Sequence, residues 1–249
     1  MSDAATPPPE DQPMEIHKPR PIRHWRELLT EIGVIVLSVS IALAGEQAVE
    51  WLHWHNEVAT ARKTLMAEIA ANDVAFARRI AYRPCMDRQI AEAEAIIGDL
   101  EAKRPPRTYT ALHTGVEQLF DDSQWQSERA SQVLVHFPDA ELALLIRHYG
   151  TLEAFRLWMD HEGFAWGDLS VLRNPPAGLG ASDFLRLRAS LSIARRMNAL
   201  TAIRAENTLR ISRQLGISPP VVEPERVEKF CALSDLEYAA WQRSVAPRN

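Results

Sequence analysis

Two cysteines, eight histidines and a set of arginines along one stretch are the side chains whose types could do chemistry here. Cys85 and Cys231 are the whole thiol complement. In an oxidising compartment two thiols this far apart could be bridged, which would tie the C-terminal helices to the first helices of the domain. In a reducing one they would be buried free thiols. Neither cysteine has clustered histidines at zinc-ligand spacing. His53 and His55 are two residues apart, so a helix turns them in divergent directions. They sit beside Trp51 and Trp54 and read as interfacial residues. His148 and His161 share one predicted helix but not one face. His161-Glu162 lacks the second histidine of the zinc-protease helix pattern. These spacings predict no metal and no cofactor.

The other candidates give little. Asp121-Asp122 reads as a turn, because acid–base work needs a convergent geometry that spacing alone does not supply. Gly178 and Gly180 lack the following Gly, Lys or Ser/Thr of a phosphate cradle. No G-x-S-x-G elbow occurs. Arg186, Arg188, Arg195, Arg196, Arg204 and Arg210 fall on one predicted helix. They could meet an anionic ligand or an acidic partner, or form a solvated face balanced by neighbouring Asp and Glu; the second reading is favoured. Formal net charge is −5, and no basic face interleaved with aromatics stands out, so no nucleic acid is expected as a partner.

What must position these residues begins with a membrane segment. Ile32 to Gly45 carries no charge. The run is shorter than the ~20 residues a spanning helix needs, but Leu28–Thr30 before it and Ala48-Val49 after it extend the core to 28–49. Glu31 and Glu46 then lie near the two ends, where carboxylates reach the headgroups. Trp25 on one side and Trp51 and Trp54 on the other fit the aromatic belts of the interface, with Arg23 and Arg26 as basic flanking anchors. Lys18, Arg20, Arg23 and Arg26 precede the span, and the first cations after it are Arg62 and Lys63. The positive-inside rule then leaves the N-terminus in the cytoplasm and exports the rest, to the periplasm in a bacterium. A competing reading is a signal peptide cut before Gly45, after Ala42-Leu43-Ala44, which would release a periplasmic protein. Against it stand Glu27 and Glu31 in the leading region and a helical pattern that runs through the cleavage site. Within the span, Glu31, Ser38, Ala42 and Gly45 share one face at heptad-like spacing, a stripe that could let two copies of the helix approach.

Trp25-Arg26-Glu27, then Glu31-Ile32-Gly33-Val34-Ile35-Val36-Leu37, then Ile41-Ala42-Leu43 resemble the N-terminal anchor of a loose family of uncharacterised bacterial single-pass inner-membrane proteins. The resemblance covers the anchor only and implies a Gram-negative membrane protein. It implies no activity, so no catalytic residue comes with it.

The chain therefore divides into a tail over 1–21, an anchor with its flanks over 22–52, and a domain over 53–249. The tail holds Pro7, Pro8, Pro9, Pro13 and Pro19 with almost no large apolar residue, a composition expected to be disordered. The fold expected is all-α, with the transmembrane helix continuing into an antiparallel helical bundle. Leu65, Ile69, Phe76 and Ile80 mark the first core stripe, and Pro84 is expected to end or kink that helix. Met86, Ile90, Ala93, Ile97 and Leu100 mark a second helical stretch, stopped by Pro105-Pro106. Leu112, Val116 and Leu119 suggest a short helix, and Asp121-Asp122-Ser123 a cap for one starting near Gln124. Val133-Leu134-Val135 has no hairpin partner and reads as a helix end. Pro138-Asp139 opens a helix running to about Leu172, with Leu142, Leu145, Tyr149 and Leu152 inward. After the loop Asn174–Ala181, Ser182-Asp183 caps a helix from Phe184 to about Leu215, with Leu187, Leu191 and Ala194 inward, stopped by Gly216. Pro219-Pro220 and Pro224 make a linker. Two short helices, Arg226–Leu233 and Leu236–Ser244, close the chain.

With an anchor and no recognised reaction chemistry, the expected role is a non-catalytic module acting through protein contacts, as a scaffold, accessory subunit or assembly factor. A periplasmic helical bundle that senses a small molecule between its helices is the alternative, and an enzyme with an unrecognised site is the third. The lipid bilayer and either a protein partner or a second copy of the chain are the expected partners.

Overall fold

The computed structural model describes residues 25–105 and 119–232. The expected tail, the short helix through Leu112 and Val116, and the last helix over Leu236–Ser244 lie outside the described residues, as does Arg23. Among the described residues there are helices and turns and no strand. Five α-helices follow in order: α1 (Trp25–Glu101), α2 (Ser123–Ala130), α3 (Asp139–Leu169), α4 (Ala181–Gln214) and α5 (Pro224–Ala232). The chain divides into two units, Met1–His53 and Trp54–Asn249.

The described part of the first unit is the beginning of α1. It presents its apolar side chains outward all round: Leu37 is 61% exposed and Ile41 64%. An 18-residue window of α1 is apolar enough to cross a bilayer, and none of that window is buried. A helix of a soluble domain usually buries such a face, and this one is consistent with a membrane anchor.

In the second unit α1 becomes a core helix. Leu65, Ile69 and Phe76 are fully buried, as are Met86, Ala93 and Ile97 further on. Of the two outcomes expected at Pro84, α1 does not end there: it is one helix of 77 residues with Pro84 inside it. Proline removes one backbone hydrogen bond and normally breaks or kinks a helix. Here Pro84 itself is exposed, so its ring meets solvent and not the core. Tyr82, Cys85 and Met86 around it are all buried, so packing holds the helix on both sides of the defect.

Side-chain pairs fix the helix directions. Arg62–Glu141, Glu68–Tyr149 and Arg79–Glu162 join α1 to α3 at nearly constant sequence separations of 79, 81 and 83, so these two helices run parallel. Arg188–Glu101, Arg79–Thr201 and Ser212–Asp73 join α4 to α1 at separations of 87, 122 and 139, so α4 runs antiparallel to α1.

Local chemistry sets the ends. α3 opens after Pro138, with Asp139 and Glu141 in its first turn facing the positive helix terminus. Asp183 does not precede α4 but lies in its first turn, where its carboxylate accepts the Gly180 N–H at 2.9 Å. Gly216 stops α4 in the left-handed conformation, φ +84°, and Ile217 N–H closes back on the Ser212 carbonyl at 2.9 Å. Val133–His136 forms a 3₁₀ turn, and Ser170–Arg173 another that closes α3. Pro224, read as linker, is the first residue of α5, where its missing N–H costs nothing.

The core has three apolar clusters. One gathers Val58, Leu65, Trp125, Phe137 and Tyr149; a second joins Phe76, Phe155 and Leu209; the third joins Met86, Ile97, Trp166, Leu191 and Phe230. Among the inward residues expected from the sequence, Leu145, Leu152, Leu187 and Ala194 are all buried.

Candidate functional site

The anchor residues are placed as follows. Trp25 is 68% exposed, with the Arg26 guanidinium 5.9 Å from its ring centroid. Trp51 is 66% exposed. The Trp54 ring stacks on His136 at 3.8 Å and packs against the Val58–Tyr149 cluster. On the small-residue stripe, Glu31, Ala42 and Gly45 are exposed and Ser38 donates to the Val34 carbonyl of its own helix at 2.8 Å. A hydroxyl satisfied within its helix has less to gain from a neighbouring one.

Cys85 on α1 and Cys231 on α5 are joined as a disulfide, with Cα atoms 5.5 Å apart across a separation of 146 residues. Beside it Phe230 stacks on Tyr82, ring centroids 4.0 Å apart. The bridge thus fastens the short α5 to the C-terminal part of α1, next to Pro84.

A row of polar side chains runs through the interior, and sequence reading had not singled it out. At one end the Glu68 carboxylate accepts the backbone N–H groups of Gln124 (2.7 Å) and Trp125 (3.2 Å) and the Tyr149 hydroxyl (2.6 Å). Glu68 therefore caps α2 from another helix, whereas Asp122, the local N-cap residue, makes no side-chain capping bond. Asp121 instead accepts the Ser123 N–H, and Asn72 grips the Asp121 backbone with both ends of its amide. Asp122 pairs with Arg156 at 2.9 Å, which holds its carboxyl below the ordinary value. In the middle Arg79 pairs with Glu162 at 2.8 Å, both almost wholly buried, and also reaches Thr201 and Asn198.

Between these lies a cluster with the residue types of a hydrolytic triad. Asp73, His148 and Ser212 are each 0% exposed. Their order is wrong for that chemistry. Ser212 donates to Asp73 at 2.9 Å, and His148 Nε2 stands 3.5 Å from Asp73 without a hydrogen bond. A triad needs the imidazole between the hydroxyl and the carboxylate, and a path for substrate. His161 is exposed, with Nδ1 2.7 Å from the Leu157 carbonyl. Among the described residues no three His, Cys, Asp or Glu side chains converge as metal ligands.

The arginines of α4 separate into two groups. Arg186 pairs with Asp168, Arg188 with Glu101, and Arg195 with Glu94. Asp168 is held below the ordinary carboxylate value by Arg186 first and by the Ser190 hydroxyl next. That half is the balanced, solvated face. Arg204 and Arg210 lie elsewhere, in a groove between α3 and α4 that Arg147 also lines, with a volume of about 640 Å³. The Arg204 guanidinium sits 5.7 Å from the Trp158 ring centroid. The sequence signal for this groove was incomplete, because Arg147 is on a different helix and only the α3–α4 packing brings it in.

Comparison with known proteins adds nothing to these observations: no family model, curated protein or solved structure matches the chain.

Proposed function

We propose that this is a single-pass bacterial inner-membrane protein whose N-terminus stays in the cytoplasm and whose helical domain works in the periplasm through protein contacts. The observation that carries it is the apolar window of α1, long enough to span and wholly unburied, ahead of a domain with its own core. The cations that precede this window support the orientation. A Cys85–Cys231 bridge suits an oxidising compartment. Protein contact is supported by large apolar side chains on the outside of the domain. Val135 is 76% exposed, Phe164 79% and Leu185 74%. The role is that of a scaffold, accessory subunit or assembly factor.

Two measurements test this. Alkaline phosphatase fused after Ala232 is expected to be active, and the purified chain to keep the residues before Gly45. An inactive fusion, or a mature chain starting at Gly45, sinks the orientation or the anchor. Photocrosslinking from Leu157 and Phe164 in intact membranes is expected to trap one partner, or a second copy, at fixed stoichiometry. Monomer alone overturns the contact role.

A further inference from the structure

The groove between α3 and α4 goes beyond a role in protein contact. Arg147 enters it from α3, and Arg204 and Arg210 from α4. The arginines towards the start of α4 meet carboxylates of α1 and α3, but none of these three makes an ion pair among the described residues. Three cations lining one concavity repel each other, and an anion placed among them relieves that repulsion while meeting planar, two-pronged donors. Trp158 forms part of the wall, and the Arg204 guanidinium lies over its ring, 5.7 Å from the centroid. Asn207 and Gln214 add neutral amide donors. The volume of about 640 Å³ lies within the range of small-molecule sites.

We propose that this groove binds a small organic anion carrying two acidic groups, phosphate or carboxylate. Arg204 and Arg210 are six residues apart on one helix, a rise of about 9 Å, and Arg147 comes from the facing helix, so an anion with two acidic groups engages more of these donors than a single tetrahedral anion does. One acidic group meets Arg204 beside Trp158, and the other meets Arg210 and Arg147. The site depends only on α3 and α4, so it stands or falls independently of the orientation and of any protein partner.

The test is calorimetric titration of the full chain in detergent micelles with pyrophosphate, citrate and inorganic phosphate. Pyrophosphate or citrate is expected to bind one per chain, about tenfold or more tightly than inorganic phosphate. The triple variant R147Q/R204Q/R210Q is expected to lose about tenfold or more of that affinity while keeping its circular dichroism spectrum. R186Q/R188Q, on the paired face of the same helix, is expected to bind as the parent does. If the triple variant fails to fold, the single variants R147Q and R210Q each carry the same expectation at about threefold or more. The proposal is overturned if neither two-acid probe binds, if inorganic phosphate binds equally well, or if the arginine variants bind like the parent. It is also overturned if only a poly-glutamate peptide binds, which would make the groove a protein-docking surface.

Discussion

Tyr149 donates a hydrogen bond of 2.6 Å to Glu68, and the same carboxylate holds the first N–H groups of α2. One buried anion thus locks three helices. Its desolvation is offset by donors on every side, which is the condition under which a buried charge is tolerated.

Tyr149→Phe is expected to lower stability by about 1–3 kcal/mol, the range for a hydrogen bond to a charged group, while the ring stays stacked on Trp125. Glu68→Ala should cost more, because two helix N–H groups then lose their acceptor. Urea denaturation of each variant measures this. Equal stability of parent and Tyr149→Phe would remove Glu68 as an anchor point.

The same pair predicts an alkaline limb. Burial first, and Glu68 next, raise the Tyr149 pKa above its ordinary value. A raised folded value contributes stability that is complete below the unfolded pKa of about 10 and is lost as pH rises beyond it. Parent stability should therefore fall above about pH 10 more steeply than that of Tyr149→Phe. Denaturation midpoints at neutral and alkaline pH give the comparison.

At low pH the sign reverses. Asp122 and Asp168 are held below the ordinary value by Arg156 and Arg186. Their contribution is complete above the unfolded pKa of about 3.9 and is lost as pH falls through the lower folded values. Asp122→Asn should flatten the acid limb of a melting-temperature profile, and an unchanged profile would contradict the Asp122–Arg156 coupling.

Glu162→Ala strands the Arg79 guanidinium in the core, at an expected cost of about 3–5 kcal/mol. Replacing both partners with Met and Leu should cost less than the single change, because no unpaired charge remains. A double variant worse than Glu162→Ala would show that the pair stabilises beyond mutual compensation.

Reduction of the Cys85–Cys231 bridge should lower the melting temperature, with up to about 5 kcal/mol available from loop closure and less if α5 stays packed through Phe230. Alkylation without reductant should leave both thiols unlabelled.

Hydrophobic periodicity by itself determined the all-α class, the apolar span and most of the inward residues, because i, i+3, i+4 spacing is a local property. Leu65, Leu145, Leu187 and their neighbours could be assigned inward before any partner was known. Sequence left open whether Pro84 ends or kinks its helix, because whether a proline ends a helix depends on the packing that holds both sides of it. It also gave the cap of α2 to the local Asp121-Asp122-Ser123 segment, whereas the carboxylate that accepts the Gln124 and Trp125 N–H groups comes from Glu68 on α1. Only the tertiary structure decided that α1 and α3 run parallel, and which arginines of α4 meet carboxylates. It also placed Arg147 in one groove with Arg204 and Arg210. These are long-range relations, set by which helices lie side by side, and no local spacing carries them.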